Sequence, residues 1–231
     1  MCAEYTTLLI DADNTLLDFD KAENEALKSV MAIYKLPATE ENCRKYSEIN
    51  DALWKRFEKG EIEKAEIKTT RFRKFFEFLG VKEKFDPSEV NETYLSFLRE
   101  GAYTIEGATG LCEALKEKGY RLYIITNGIA LTQARRLKKS GLLPFFDEVF
   151  VSEAVGFPKP KKEYFDYVLE NVNEKDKSKI LVIGDSLSSD IKGAENAGLD
   201  YIWYNHRKAE VPETLAARAV IDDIRKLHDI L

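Results

Sequence analysis

Acidic and hydroxyl side chains stand at the ends of short apolar stretches, a placement that could serve phosphate chemistry. The stretches TTLLI, RLYIIT and KILVIG lead to these residues, which in chain order are Asp11, Asp13, Thr126, Asn127 and Asp185. Carboxylates lose hydration energy when they leave water, so they need a cation, a hydrogen-bond donor or a catalytic role. Because ligands of open α/β sheets bind beyond the carboxyl ends of the strands, we expect these side chains on one rim. Such hard oxygen ligands predict Mg²⁺ as the cofactor.

Lys159, which follows the apolar run EVFVSE, adds a cation to this set. A phosphate ester repels an attacking carboxylate, and Mg²⁺ together with a lysine would neutralise that repulsion. An aspartate can then attack phosphorus and form an aspartyl-phosphate. A second acid must protonate the leaving alcohol and later activate water, and Asp13 is placed for that role. The hydroxyl and backbone N–H groups of the TNG segment (126–128) could cradle the remaining oxygens, so the whole set predicts phosphoryl transfer.

Short runs rich in Ile, Val, Leu and Tyr are typical of strands that are buried on both faces, as in a parallel sheet. They lie at 6–10, 121–126, 148–153, 179–186 and 200–205. Amphipathic helical patterns, several of which end on glycine, separate the later runs and cover 110–119, 130–141, 162–172 and 190–198. This alternation of strand and helix predicts an α/β fold with a doubly wound, Rossmann-like parallel sheet.

Residues 18–100 interrupt the alternation with several helical patterns and no convincing strand. We interpret them as an all-helical domain inserted after the first strand, which leaves 1–17 and 101–231 as the catalytic core. The insertion is rich in aromatic residues, and we interpret these as its own hydrophobic core rather than as the lining of a substrate pocket. They are Trp54, Phe57, Phe72, Phe75, Phe76, Phe78, Tyr94 and Phe97.

The formal net charge of -6 leaves no basic field to hold nucleic acid or an anionic membrane, so we expect neither as a partner. The basic run RRLKK (135–139) is interpreted as the solvated face of a helix. Neither of the two histidines, His206 and His228, lies near a Ser or Cys motif, which argues against a histidine-based triad or a multi-histidine metal site.

The cysteines are odd in number and lack paired spacing, which argues against a disulfide framework and against a zinc site. We expect Cys2, Cys43 and Cys112 to be free thiols in a reducing compartment. No apolar stretch approaches the roughly 20 residues of a membrane span. No secretory signal is visible either, because TTLLI is short and acids follow it at once. These features predict a cytoplasmic protein. The sequence leaves its oligomeric state open between a monomer and a homodimer.

Four segments, in order, resemble the four motifs of the haloacid dehalogenase superfamily. They are DADNT (11–15), TNG (126–128), Lys159-Pro160 and GDSLSSD (184–190). The resemblance covers nearly the whole chain, and four motifs in the right elements are far more specific than any one of them. It implies a Mg²⁺-dependent phosphatase in which the helical insertion is a C1 cap that closes over the substrate.

The resemblance also implies a role for each candidate side chain. Asp11 would be the nucleophile and a metal ligand, and Asp13 would be the general acid/base, with its backbone carbonyl on Mg²⁺. Asp185 would be a further metal ligand. The phosphate-binding residues would be Thr126, Asn127, Gly128 and Lys159. Asp190 would support either the metal or the lysine.

Three longer segments are similar to the bacterial pyrimidine 5'-nucleotidases of this superfamily. They are DADNTLLDF, GFPKPKKEYFDYVLE and GDSLSSDIKGAENAGLDYIWYN. The similarity implies that the partner is a small phosphate ester, namely a pyrimidine nucleoside monophosphate with ribose or deoxyribose. A phosphatase of phosphoglycolate or of a sugar phosphate is the nearest rival.

Other reaction types also fit parts of the pattern. A phosphomutase stays open, because a different fit of the cap could shield the aspartyl-phosphate from water. A dehalogenase fits less well, since displacing halide from carbon needs no acid such as Asp13 to protonate an alkoxide. A receiver-like switch phosphorylated on aspartate would need neither this second acid nor the large helical insertion.

Overall fold

A computed structural model describes residues 5–82 and 84–231 of the chain. Cys2, one of the predicted free thiols, lies outside the described residues. The described chain divides into two compact units. The first joins the segment that ends at Asp18 with Thr104–Leu231, and the second is Phe19–Tyr103. The second unit is therefore an insertion into the sequence of the first.

The first unit is built on a parallel sheet whose strands follow the predicted apolar runs. The strands are β1 (Thr7–Asp11), β2 (Arg121–Thr126), β3 (Glu148–Val151), β4 (Ile180–Gly184), β5 (Asp200–Tyr204) and β6 (Ala219–Ile221). Their order across the sheet is β3-β2-β1-β4-β5-β6, and each neighbouring pair is parallel. The chain builds the sheet outward from β1 in both directions, so the predicted doubly wound fold class is confirmed.

The edge strand β6 was not predicted from the sequence. It is three residues long, and its central residue, Val220, is 40% exposed. A buried strand is recognised in the sequence by a continuous apolar run, and an edge strand this short and this exposed provides no such run.

Alternate residues of the central strand β1 pack into two hydrophobic clusters, because successive side chains of a strand point to opposite faces. Leu8 and Ile10 belong to one cluster, and Leu9 belongs to the other. Burial of each side chain stabilises the fold by about 1.5–3 kcal/mol. Both faces of β1 are therefore covered, and Asp11 stands at its carboxyl end.

Helices occupy the segments between the strands and fill the insertion. They are α1 (Phe19–Ile33), α2 (Glu40–Glu58), α3 (Lys64–Phe78), α4 (Pro87–Leu98), α5 (Ala108–Glu117), α6 (Ala130–Ser140), α7 (Ser152–Val155), α8 (Lys162–Asn171), α9 (Lys192–Ala197) and α10 (Leu227–Ile230). Leu111 of α5 packs into the cluster of Leu8, whereas Phe165 of α8 packs into the cluster of Leu9. The sheet is therefore covered by helices on both faces.

The helix predicted over 190–198 begins earlier than expected and with a wider turn. The segment Leu187–Ile191 forms a π-helical turn, and α9 continues from it. The Ser186 side chain accepts a hydrogen bond from the Ser189 N–H at 3.2 Å and so caps the turn. Single π-helical turns are frequent at functional sites. Here the turn places the Asp190 side chain fully inside the protein, just beyond β4.

The second unit consists of α1–α4, and its helix ends carry side-chain caps. Thr39 accepts a hydrogen bond from the Asn42 N–H at the start of α2, and Asp86 caps α4 directly before Pro87. The interpretation of the aromatic residues as core is confirmed for those that are buried, which are Phe57, Phe72, Phe75, Phe76 and Tyr94. Phe78 is an exception, because 42% of its surface is exposed.

A chain of buried polar side chains also runs through the second unit, with one member from each of α1–α4. Asn50 Nδ2 donates to Glu23 Oε1 at 2.8 Å, and Arg71 Nη1 donates to Asn50 Oδ1 at 3.3 Å. Arg71 Nε donates to Asn91 Oδ1 at 3.0 Å, and its guanidinium lies 4.6 Å from the centre of the Tyr94 ring. Burial raises the pKa of Glu23 to about 7. This set, which we name the amide-bridged cluster, holds its carboxylate and guanidinium apart with an amide between them.

Within residues 5–82 and 84–231, no helix combines the length and the apolar character that crossing a membrane requires. Cys43 and Cys112 are free thiols, as predicted. Cys112 is fully buried in the first unit, and burial raises the pKa of its thiol to about 12.

Candidate active site

The chain turns sharply after β1 and leaves Asp11 and Asp13 at the carboxyl end of the central strand. Two backbone N–H groups of the following residues donate to the Ala12 carbonyl oxygen at 3.0 and 2.8 Å. Asn14 adopts a left-handed backbone with a φ of 61°, which asparagine tolerates better than most residues do. Thr15 Oγ1 then donates to Asp11 Oδ2 at 3.2 Å. The local sequence therefore fixes both the turn and one oxygen of the Asp11 carboxylate.

Lys159 supplies a buried cation next to that carboxylate. Its Nζ lies 2.7 Å from Asp11 Oδ1, 2.6 Å from Asp190 Oδ1 and 2.9 Å from the Ile125 carbonyl oxygen. These three acceptors match the three protons of an ammonium group. Direct contact with two carboxylates offsets the cost of burying Lys159, which is 1% exposed.

Asn127 holds the backbone of Lys159 from the neighbouring strand end. Asn127 Nδ2 donates to the Lys159 carbonyl oxygen at 2.9 Å, and the Lys159 N–H donates to Asn127 Oδ1 at 2.9 Å. The side-chain amide is thus engaged at both ends, and it positions the lysine. A contact between Asn127 and phosphate stays a prediction.

Three carboxylates meet beside the lysine. Oxygens of Asp11, Asp185 and Asp190 all lie within 4.8 Å of one another. Asp190 Oδ2 also accepts a hydrogen bond from the Ser186 N–H at 3.1 Å, whereas Asp185 Oδ2 lies 3.6 Å from His206 Nε2. When ionised, the three carboxylates exceed the charge of the single lysine. An all-oxygen donor set with excess negative charge fits Mg²⁺, and the roles of Asp11 and Asp185 as its side-chain ligands stay predictions.

The pKa values of the site agree with this charge imbalance. Burial raises the pKa of Asp11 well above its usual range, and Asp190 adds to the rise, while Lys159 opposes it. Burial likewise raises the pKa of Asp185. Burial alone would lower the pKa of Lys159, but Asp11 and Asp190 outweigh that effect, so the amine stays protonated at neutral pH. A divalent cation among these carboxylates would favour their charged forms.

Asp13 is engaged by helix α6, which corrects the interpretation of RRLKK as a solvated face. Arg136 is fully buried, and its Nη1 donates to Asp13 Oδ1. Gln133 Nε2 donates to Asp13 Oδ2 at 2.7 Å and to Thr126 Oγ1 at 2.8 Å. The Asp13 side chain therefore belongs to a second group of residues. The first group, Asp11, Lys159, Asp185 and Asp190, we name the carboxylate–lysine group. The metal contact of Asp13 through its backbone carbonyl stays a prediction.

The sequence interpretation missed several residues that contact the candidate site, and one of its own patterns could have revealed two of them. Gln133 and Arg136 share the spacing i, i+3, i+4 with the buried Leu137, which marks the inner face of α6. Tyr164 of α8 was also missed, although its hydroxyl accepts from the Thr126 N–H at 3.1 Å. His206 lies beside Asp185 without forming part of any short motif, and only the fold brings the two together.

The described geometry brings the predicted residues into two adjoining groups. One holds Asp11, Lys159, Asp185 and Asp190, with Asn127 behind the lysine. The other links Asp13 and Thr126 through Gln133, and the Gly128 N–H donates to Thr126 Oγ1 at 3.0 Å. Together they contain four carboxylates, one buried ammonium group and one hydroxyl, an arrangement suited to phosphoryl transfer.

The chain is similar to known hydrolases over most of its length. The sequence profile of the haloacid dehalogenase-like hydrolases matches residues 5–198. YfnB of Bacillus subtilis, named as a HAD-hydrolase, is 42% identical over 98% of this chain and 94% of its own. The pyrimidine 5'-nucleotidase PynA of Streptococcus pneumoniae is 40% identical over 89% of this chain and 86% of its own. The pyrimidine 5'-nucleotidase YjjG of Escherichia coli is 34% identical over 99% of this chain and 98% of its own.

A solved structure is similar over almost the whole chain. The crystal structure of Bacillus subtilis YfnB bound to magnesium has a TM-score of 0.91 at 40% identity, and the match covers 99% of both chains.

Proposed function

This chain belongs to the haloacid dehalogenase-like hydrolase family, and we propose that it is a phosphomonoesterase that works through an aspartyl-phosphate on Asp11. One observation carries the proposal. The Lys159 ammonium group bridges Asp11 and Asp190, and a further carboxylate, Asp13, stands two residues from Asp11 on the same turn. This arrangement supports Asp11 as the nucleophile, because the fixed positive charge of Lys159 offsets the repulsion between the carboxylate and a negatively charged phosphate.

In the first step an Asp11 carboxylate oxygen attacks phosphorus, and the bond between phosphorus and the ester oxygen breaks. The electron pair goes to the leaving oxygen, which takes a proton from Asp13. Lys159 stabilises the charge on the equatorial oxygens of the transferring group. When bound by Asp11 and Asp185, Mg²⁺ supplies electrostatic stabilisation of the same oxygens.

In the second step a water molecule attacks the phosphorus of the aspartyl-phosphate. Asp13, now deprotonated, takes a proton from that water, the bond between phosphorus and the Asp11 oxygen breaks, and inorganic phosphate leaves with the Asp11 carboxylate restored. The hydrogen bonds from Arg136 and Gln133 to both Asp13 oxygens are those of the charged carboxylate, the form that this step uses. When Asp13 carries its proton in the first step, each of its oxygens keeps a lone pair, so it can still accept from Arg136 and Gln133.

The substrate that we propose is a pyrimidine nucleoside monophosphate. Support comes from two relatives that are named pyrimidine 5'-nucleotidases and that match most of this chain at 40% and 34% identity. The predicted alternatives, phosphoglycolate and a sugar phosphate, would use the same chemistry at Asp11. A phosphomutase would differ in returning the phosphoryl group to an organic hydroxyl rather than to water.

The experiment is to measure phosphate release from a panel of esters, with Mg²⁺ and with chelator. The panel contains UMP, dUMP, dTMP, purine monophosphates, phosphoglycolate and sugar phosphates, and Asp11→Asn serves as the inactive control. We expect chelator-sensitive release that is strongest on the pyrimidine nucleotides. Stronger release from phosphoglycolate or a sugar phosphate would keep the mechanism and replace the substrate. Absence of release from every ester would overturn the phosphatase proposal.

The metal assignment has its own measurement. Asp185→Ala should weaken Mg²⁺ binding more than any substitution outside the carboxylate cluster, because Asp185 is the least engaged of the three carboxylates. Titration of the protein with Mn²⁺, followed by electron paramagnetic resonance, would report the dissociation constant without turnover. An unchanged constant would remove Asp185 from the metal site.

A further inference from the structure

Gln133 and Arg136 are buried polar side chains that the proposed reaction does not use directly. Both lie on the inner face of α6 and are 1% and 0% exposed. Buried polar groups of this kind are costly unless each finds partners, so their partners show what they are for. Here the partners are the second acid of the candidate site, Asp13, and the hydroxyl of Thr126.

Arg136 fixes which way the Gln133 amide points. Arg136 Nη1 donates to Gln133 Oε1 at 3.3 Å as well as to Asp13 Oδ1. Because a guanidinium can only donate, the amide oxygen must face it and the NH₂ group must face the other way. That NH₂ group carries two protons, and it has two acceptors, Asp13 Oδ2 and Thr126 Oγ1.

The consequence falls on the Thr126 hydroxyl. Its oxygen accepts one hydrogen bond from Gln133 Nε2 at 2.8 Å and another from the Gly128 N–H at 3.0 Å. A hydroxyl has two acceptor lone pairs and one proton, so both lone pairs are now occupied. Among the described residues the hydroxyl has no acceptor of its own, and its proton is left to donate to a ligand oxygen.

The backbone at residue 128 is shaped for this arrangement. A Cβ atom on Gly128 would lie 2.6 Å from Gln133 Nε2 and 2.7 Å from its Cδ, closer than side chains can approach. A glycine is therefore needed at this position so that Gln133 can reach Thr126. This is a steric observation that is independent of the hydrogen bonds.

We propose that Gln133 and Arg136 are positioning residues that present the Thr126 hydroxyl as a donor to the reacting phosphate and align Asp13 with it. The inference rests on the proposed phosphatase function and extends it to helix α6. The one amide nitrogen joins the turn after β1 to the end of β2, so a single side chain sets the geometry of two groups that must meet the same substrate.

The test is a double-mutant cycle of Gln133→Met with Thr126→Val. Methionine keeps the length of glutamine but can neither donate nor fix a hydroxyl. We expect Gln133→Met to lower kcat by about 10²-fold, the effect of losing one aligned donor, with KM changed much less. If Gln133 acts through Thr126, the double variant should be little slower than the slower single variant. Fully additive losses, or turnover at the wild-type rate in Gln133→Met, would overturn the inference.

Two control variants come from the same helix. Thr132→Val alters a buried hydroxyl one position away that has no hydrogen-bond partner among the described residues, and Arg135→Gln alters the exposed neighbour of Arg136. Both should keep wild-type kcat. A similar loss in Thr132→Val would show that the effect is a general disturbance of α6, and it would contradict the inference.

Binding of inorganic phosphate in the presence of Mg²⁺ separates this inference from the proposed function. If no ester is hydrolysed, the phosphatase proposal fails, but calorimetry can still measure phosphate binding. Non-additive weakening by Gln133→Met and Thr126→Val, with Thr132→Val unaffected, would support the positioning role. Equal phosphate affinity in wild type and Gln133→Met, or no phosphate binding by the wild type, would overturn it.

Discussion

Each unit of this molecule buries charged side chains, but the two sets differ in charge balance and in contact. The carboxylate–lysine group places three acids around Lys159, whose amine directly contacts two of them. The amide-bridged cluster has one acid and one guanidinium, Glu23 and Arg71, with Asn50 between them. The first set has an excess of negative charge, whereas the second is balanced one to one once Glu23 ionises, above its raised pKa of about 7.

This difference in charge balance distinguishes buried charges that stabilise the fold from buried charges that bind a ligand. A balanced, fully hydrogen-bonded set satisfies itself and ties helices together. An unbalanced set is incomplete without a cation, and this one also stands at the carboxyl end of parallel strands, where ligands of such folds bind. Raised pKa values do not separate the two, because burial raises the pKa of both Asp11 and Glu23. The charge count and the place in the fold do separate them.

The largest contrast should come from Asp11→Asn. Loss of the nucleophile should reduce phosphate release by about 10⁴-fold or more. The free energy of unfolding should be unchanged or higher, since the substitution removes one of three crowded negative charges. Urea unfolding and phosphate release on the same sample would check both. A variant that is less stable by several kcal/mol would show that Asp11 belongs to a self-satisfied set.

The opposite result is expected for Arg71→Met in the second unit. At a pH above 7, where Glu23 is ionised, removing the guanidinium leaves a buried carboxylate without its compensating charge, and breaking a buried pair in this way costs about 3–5 kcal/mol. Urea unfolding of the full chain would measure the loss. The exposed Arg73 on the same helix provides the matched control, and Arg73→Met should stay within about 0.5 kcal/mol of the wild type. Equal stabilities of the two variants would show that Arg71 does not compensate the buried charge of Glu23.

The free energy of unfolding of Glu23→Gln, measured over a pH series, would test whether Glu23 titrates within the amide-bridged cluster. The pKa of Glu23 is raised from 4.5 to about 7, so between these values the folded state holds a proton that the unfolded state has lost. Stability from this residue is therefore present below pH 4.5 and declines as pH rises toward 7, by at most about 3 kcal/mol. Glu23→Gln keeps the acceptor for Asn50 and should flatten that decline. An unchanged slope would show that Glu23 does not titrate in this range.

The smallest expected effect is Gly184→Ala at the end of β4. A Cβ there would lie 2.4 Å from Asp190 Cγ, so the carboxylate that supports Lys159 must shift. We expect a stability loss of about 1–3 kcal/mol, as for other overpacked sites, together with lower kcat. The control is Gly110→Ala in α5, where a Cβ meets nothing within 4 Å and alanine favours the helix. Similar kinetics in both variants would refute a tight fit around Asp190.

The sequence predicted the fold class because the apolar runs of β1, β2 and β4 are continuous and the helices between them are amphipathic. Periodicity carries such information along the chain. It could not predict the partner of Asp13, because Arg136 lies in the basic run RRLKK, and a run of basic residues is typical of a solvent-exposed helix face. The inward direction of Arg136 is set by its position on α6, and its partner is set by the sheet that places β1 beside β2.

The π-helical turn and the pairing of Asp185 with His206 were equally beyond the sequence patterns. A π-helical turn differs from an α-helical turn by one residue, and no propensity scale separates the two. His206 approaches Asp185 only because β5 lies beside β4 in the sheet. The approach of His206 to Asp185 depends on the register between strands, which short motifs do not encode.

The position of the insertion has a consequence for synthesis of the chain. Thr7 in the central strand pairs with Arg121, 114 positions later, and with Ile180 on its other side. At 5–20 residues per second, a growing chain holds β1 without its first partner for roughly 6 to 23 s, during which unpaired apolar strands are prone to aggregate. Charges beside such strands act as gatekeepers. Asp11 and Asp13 would therefore keep a nascent strand soluble well before the finished protein has a substrate to bind.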